Sequence, residues 1–165
     1  MSEVVRVTRT LRAPVGDVFD AWTDAARLRQ WLNPGPGTLA QAEADPVAGG
    51  RFRFVKLTAD GVDEITGRYL VVEPPNRLVF TWQSPASTGG AESQVTVTLR
   101  ASRTLDSEGE TTEMTILHER LPAAYYREGA RRAWAVIAAK LPAVMAGLPE
   151  ENVPPRAIPP GSPRR

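Results

Sequence analysis

The sequence predicts an α+β domain of two layers, an antiparallel sheet packed against one long C-terminal helix. Three observations predict it. From Pro122 to Leu148, Trp134, Ile137, Leu141 and Val144 recur at steps of three and four, with Arg127, Arg131, Arg132 and Lys140 mainly off that stripe. That spacing is an amphipathic helix with one dry side. Between Thr38 and Leu121, segments of alternating apolar and polar residues follow one another across short Gly- and Pro-bearing connections. This is the pattern of an antiparallel meander with one face packed and one solvated. Two short apolar helical segments follow the first strand, so helices sit at both ends and strands in the middle.

Each element has a local reason. Glu3 to Leu11 alternates, with Val5, Val7, Arg9 and Leu11 on one side. After Ala13-Pro14 the period changes. Pro14 suits the first position of a helix and Asp17 its positive end, with Val18, Phe19 and Trp22 on the apolar face. A second short helix carries Leu28, Trp31 and Leu32 and stops at Asn33-Pro-Gly-Pro-Gly37. Thr38 to Asp45 reads as a weak strand leading into the turn Pro46 to Gly50. Arg51 to Leu57 places Phe52 and Phe54 on one face. Asp60-Gly61 marks a hairpin to the strand Asp63 to Glu73. After Pro74-Pro75-Asn76 comes Arg77 to Gln83, where Leu78, Phe80 and Trp82 alternate with Val79 and Thr81. Ser84 to Ala91 reads as a loop of small residues. Two more strands, Glu92 to Thr104 and Thr111 to Leu121, end the meander.

The last helix should start near Pro122, pair Glu128 with Arg132 at i,i+4, and bend at Pro142, where the hydrogen bond to Ala138 is lost. Residues 1–148 form one domain. Residues 149–165 hold six prolines in seventeen positions and read as an extended or disordered tail.

Composition excludes several classes. Net charge is +1, so nothing argues for a nucleic-acid partner. Eighteen of the twenty cations are Arg; Lys occurs only at 56 and 140. With no Cys, there are no disulfides, thiol nucleophiles or thiolate metal sites. The N-terminus has no apolar leader core, and no run nears the ~18 apolar residues of a membrane span, so a cytoplasmic protein without membrane insertion is expected. Gly-x-Ser-x-Gly, metal-ligand spacing and phosphate-binding glycine loops are all absent, so neither a metal nor a cofactor is expected.

The elements in order resemble the helix-grip fold of START-like (SRPBCC) proteins, a curved sheet of six or seven strands wrapped around a long C-terminal helix. Within that group the chain resembles bacterial homologues of the activator of heat-shock-protein ATPase. The residues that carry the likeness are Val18-Phe19-Asp20-Ala21-Trp22-Thr23-Asp24, Leu28-Arg-Gln-Trp31, Asp45-Pro-Val-Ala-Gly-Gly-Arg-Phe-Arg-Phe54, Gly67-Arg-Tyr69, Leu78-Val-Phe-Thr-Trp82 and Thr115 to His118. Trp134 falls at the family's Gly-Trp, with Ala133 in place of the Gly. The resemblance implies a ligand cavity under the helix. It also implies three functions among relatives: binding of lipid or aromatic molecules, cyclase-like chemistry, and chaperone regulation linked to stress response. It supplies no shared catalytic set.

By strand period, Phe52, Phe54, Tyr69, Phe80 and Trp82 project toward the interior, as do Trp31 and Trp134 from their helices. The plain reading is that they fill the core. As a set facing small residues at Ala130, Ala133 and Ala138, they also suit the lining of a mostly apolar pocket, with Ile137 beside them and Tyr126 at the mouth. His118 shares the inner face of Met114 and Ile116. It is either a general base or ligand-orienting donor, or a histidine hydrogen-bonded to its surroundings. The expected function is therefore non-enzymatic binding of a small hydrophobic molecule. Two alternatives stay open: a cyclase or hydrolase using His118 with Tyr69 or Tyr126, and a protein-interaction module with a chaperone partner. Edge strands of such a sheet can also pair into a homodimer.

Overall fold

The structure, a computed structural model, describes residues 3–35, 38–102 and 109–145. Seven strands form one antiparallel sheet: β1 (Val5–Leu11), β2 (Gln41–Ala44), β3 (Arg51–Thr58), β4 (Gly61–Glu73), β5 (Arg77–Trp82), β6 (Ser93–Ser102) and β7 (Thr111–Glu119). Their spatial order is β1-β7-β6-β5-β4-β3-β2. The meander thus runs in sequence from β2 to β7, and β1 closes it on the far side of β7. Helices α1 (Val15–Thr23) and α2 (Ala25–Trp31) follow β1, and α4 (Ala124–Met145) packs across the inner face. This is the helix-grip arrangement. The Pro-rich segment 149–165 lies outside the described residues.

Local chemistry accounts for the boundaries. Pro14 is the N-cap of α1, one position earlier than expected, because its extended ψ of 149° keeps it outside the helix. The Asp24 carboxylate caps α2 by accepting from the Ala26 N–H at 3.0 Å. Segment 84–91, expected as a loop, contains a short helix α3 (Pro85–Thr88). The Ser84 hydroxyl accepts from the Ser87 N–H, Pro85 starts the turn, and Gly89 ends it at φ +66°. α4 begins at Ala124, so Pro122 precedes it, and the helix continues through Pro142. Its Arg131 pairs with Glu128 at i,i+3, where an i,i+4 pair with Arg132 had been expected.

The stripe of α4 is buried as its spacing requires: Trp134, Ile137, Ala138, Leu141 and Val144 all join the core. Each large aliphatic side chain removed from water there contributes about 1.5–3 kcal/mol. β5 departs from the one-sided expectation, for Val79 and Thr81 are buried along with Leu78, Phe80 and Trp82. It is the middle strand, and its outer residues are flanked by Val71, Thr96 and Gln94 on the neighbouring strands. A register shift between Tyr69 and Val71 bends the sheet at that point. Gly67 permits a close approach there. A Cβ at this position would lie 2.0 Å from the Thr81 carbonyl oxygen and 2.4 Å from the Phe52 ring.

Candidate functional site: a cavity under the long helix

Between the inner face of the sheet and α4 lies a cavity of about 190 Å³. Ile65 and Trp82 form its floor, Trp134 and Ile137 one wall, and Leu32 and Pro34 the end beside α2. The space exists because α4 presents Gly129, Ala130 and Ala133 where larger side chains would fill it. Tyr125, 77% exposed, and Arg132 also line it, so the cavity reaches the surface at the first turns of α4. Tyr126 stands at the same mouth, its hydroxyl against Gly89; a Cβ on that glycine would come within 2.7 Å of the Tyr126 oxygen.

The ten residues expected at a site divide evenly. Trp82, His118, Tyr126, Trp134 and Ile137 line the cavity. Phe52, Phe54, Tyr69 and Phe80 instead surround a void of only about 10 Å³, room for one water at most. Phe52 and Phe54 stack at 4.7 Å, and Phe80 meets Phe52 edge-on at 5.5 Å. Trp31 is fully buried elsewhere, its indole N–H donating to the Ala21 carbonyl at 3.0 Å and its ring edge-on to Trp22 at 4.7 Å. These five are packed core, and Trp82 and Leu32 touch both regions. Burial, and then the nearby Asp45 carboxylate, push the Tyr69 phenol well above its ordinary range.

His118 is 1% exposed and hydrogen-bonded at both ring nitrogens. The Trp134 indole is donor-only and gives its N–H to Nδ1 at 3.0 Å. The ring proton therefore sits on Nε2, which donates to the Ser93 hydroxyl at 2.7 Å. Ser93 in turn donates to the Trp82 carbonyl at 2.6 Å. The direction of every bond in this chain is fixed by its first donor. Burial pulls the His118 pKa from 6.5 down to about 3, so the ring is neutral at physiological pH. With the Nδ1 lone pair occupied by the indole, the imidazole has no free basic nitrogen.

A second polar chain starts from the indole of Trp82. The Trp82 indole N–H donates to the Ser87 hydroxyl at 3.2 Å. Ser84 donates to the buried Asp63 carboxylate at 2.9 Å, which leaves Ser87 as donor to Ser84 in their mutual contact. The other Asp63 oxygen accepts from the Ala86 N–H at 3.0 Å. Lys56 reaches into the cavity wall beside this group, its Nζ 4.0 Å from Asp63.

Sequence reasoning passed over Lys56, Ser87 and Arg132 as cavity residues. Lys56 did carry a signal: it has the inward parity of Phe52 and Phe54. Ser87 did not, because its position depends on the fold of α3. Among the described residues, no group of His, Asp and Glu is arranged to hold a metal ion. No helix of the described residues is long and apolar enough to cross a membrane.

The family model described as Activator of Hsp90 ATPase homolog 1-like protein matches residues 12–146. The chain belongs to this family. Solved structures agree on the AHSA1-type fold. The AHSA1 protein of Silicibacter pomeroyi is 22% identical with a TM-score of 0.73, and the alignment covers 87% of this chain and 98% of that one. An HSP90 activator from Plasmodium falciparum is 23% identical with a TM-score of 0.65, covering 88% and 97%. CalU16 from Micromonospora echinospora is 21% identical with a TM-score of 0.66, covering 88% and 77%. Among curated proteins none matches by sequence.

Proposed function

We propose that this AHSA1-type domain binds one small, ring-sized apolar molecule in the cavity between the sheet and α4. The observation that carries this reading is an open space of about 190 Å³ walled by Trp82, Trp134, Ile65 and Ile137 in an otherwise filled interior. An apolar protein cavity of about 150 Å³ is known to take up benzene, so one or two rings fit here. Pockets for larger ligands run to about 300–1,000 Å³, which favours an aromatic molecule over a long lipid chain.

The alternative of a cyclase or hydrolase working through His118 is disfavoured by the hydrogen bonding. A general base needs a lone pair within reach of the substrate proton, and that of Nδ1 accepts from Trp134. Of its two suggested helpers, Tyr69 belongs to the packed aromatic core, while Tyr126 stands at the mouth of the cavity. A chaperone partner rests on the family description alone.

Titration with the neutral two-ring dye 1-naphthylamine, which matches the size of the cavity, tests the reading. Fluorescence should rise saturably with the native protein. It should be lost in Ala133→Leu, whose added side chain occupies the space while α4 remains helical. A native protein that leaves the dye dark, or an Ala133→Leu variant that binds it equally well, overturns the proposal.

A further inference from the structure

The polar groups around the cavity differ in what they leave available to a ligand. His118 has both nitrogens occupied, by Trp134 and Ser93. The indole N–H groups of Trp134 and Trp82 are directed to His118 and Ser87. The Ser87 proton points to Ser84 and the Ser84 proton to Asp63. Buried groups satisfied in this way offer a ligand no strong donor. Lys56 is different. Its only charged neighbour among the described residues is Asp63 at 4.0 Å, too far for a hydrogen bond. Asp63 already accepts from Ser84 and Ala86. Three ammonium donors at the cavity wall thus lack a protein acceptor among the described residues. Arg132, at the mouth, likewise makes no ion pair there; its neighbour Arg131 takes Glu128. Among the described residues no carboxylate lines the cavity, and the charged lining residues are Lys56 and Arg132.

We propose that the bound molecule is a small amphipathic anion, an aromatic carboxylate whose ring packs against Trp82 and Trp134 and whose acid group accepts from Lys56. Arg132 draws it in from the mouth. This deepens the cavity reading above and rests on it. The chemistry is complementary at both ends: an apolar ring matches the indoles and Ile65, and carboxylate oxygens match donors that the fold leaves unsatisfied. Charge-assisted bonds of this kind are about twice as strong as neutral ones. A neutral analogue lacks the charge assistance and makes a weaker bond to the ammonium.

Two shape-matched competitors, 2-naphthoate and 2-naphthamide, separate this inference from the cavity reading when used to displace the neutral dye. Naphthoate should displace it at a concentration about tenfold below naphthamide, a gap of about 1.4 kcal/mol. Lys56→Met should close that gap while the dye and naphthamide bind within about twofold of native. Lys56→Arg should restore most of it, and Arg132→Gln should narrow it about threefold, more at low salt than at high. If Lys56→Met loses its fold, Lys56→Met/Asp63→Asn removes both charges and gives the same readout. Equal displacement by the two competitors, or a gap that survives loss of Lys56, overturns the anion inference and leaves the cavity reading standing. If neither the dye nor naphthoate binds, the latter followed by calorimetry, both fall.

Discussion

Acid should weaken this fold through His118, and the size of the effect follows from its surroundings. In the native state the ring is neutral, with its pKa lowered from 6.5 to about 3 by burial. In the unfolded chain it takes up a proton near 6.5. The folded pKa is thus the lower one. The stabilising contribution is present in full above about pH 6.5 and disappears progressively as pH falls toward 3. Each pH unit inside that window is worth about 1.36 kcal/mol. Between about pH 7 and pH 5 the loss from this one residue amounts to about 2 kcal/mol. The geometry gives the same sign, since a protonated Nδ1 would point a donor at the Trp134 N–H. Urea unfolding of the native protein and His118→Phe, followed by tryptophan fluorescence across that range, isolates the term. The variant is expected to start less stable yet to lose about 2 kcal/mol less on acidification. Two proteins whose stabilities fall in parallel would refute the assignment of a buried, neutral, doubly bonded imidazole.

Two further outcomes are expected. Trp134→Phe leaves the His118 acceptor without its partner and should cost about 1–3 kcal/mol, whereas Trp134→Phe/His118→Phe should cost clearly less than the sum of the two single changes; a double-mutant cycle by chemical denaturation checks this. Gly67→Ala drives a methyl group into the Thr81 carbonyl and the Phe52 ring, and should destabilise by more than about 2 kcal/mol through overpacking and strand displacement, read as a fall in Tm.

How far the sequence could be read depended on what each signal measures. Alternation fixes which face a residue occupies, and it placed Phe52, Phe54, Phe80, Trp82 and His118 inward correctly. It carries no information about where along the sheet the space under α4 opens. Four aromatics on the right face therefore proved to be filled core, while a lysine on that same face reached the cavity. The partners of His118 could not be read either, because Trp134 meets it only when α4 docks. α3 was legible in principle: Ser84-Pro85 carries the capping residue and first-turn proline of a helix start. A run of small residues with Gly89-Gly90 behind it hid that start, and with it the position of Ser87.

The strand order has a consequence for how the protein comes into being. Among the described residues β1 has β7 as its only sheet neighbour, and Thr112 donates to the Ala13 carbonyl at 2.8 Å across 99 residues of chain. During synthesis the first strand therefore leaves the ribosome long before its partner exists. At about 5–20 residues per second it waits several seconds with both backbone edges unpaired. The meander from β2 onward can pair as it emerges, strand by strand, while β1 and the faces of α1 and α2 must wait for β7. Completion of the sheet is thus a late event, timed by the last third of the chain. Until then β1 presents unpaired backbone groups to a chaperone or a neighbouring nascent chain.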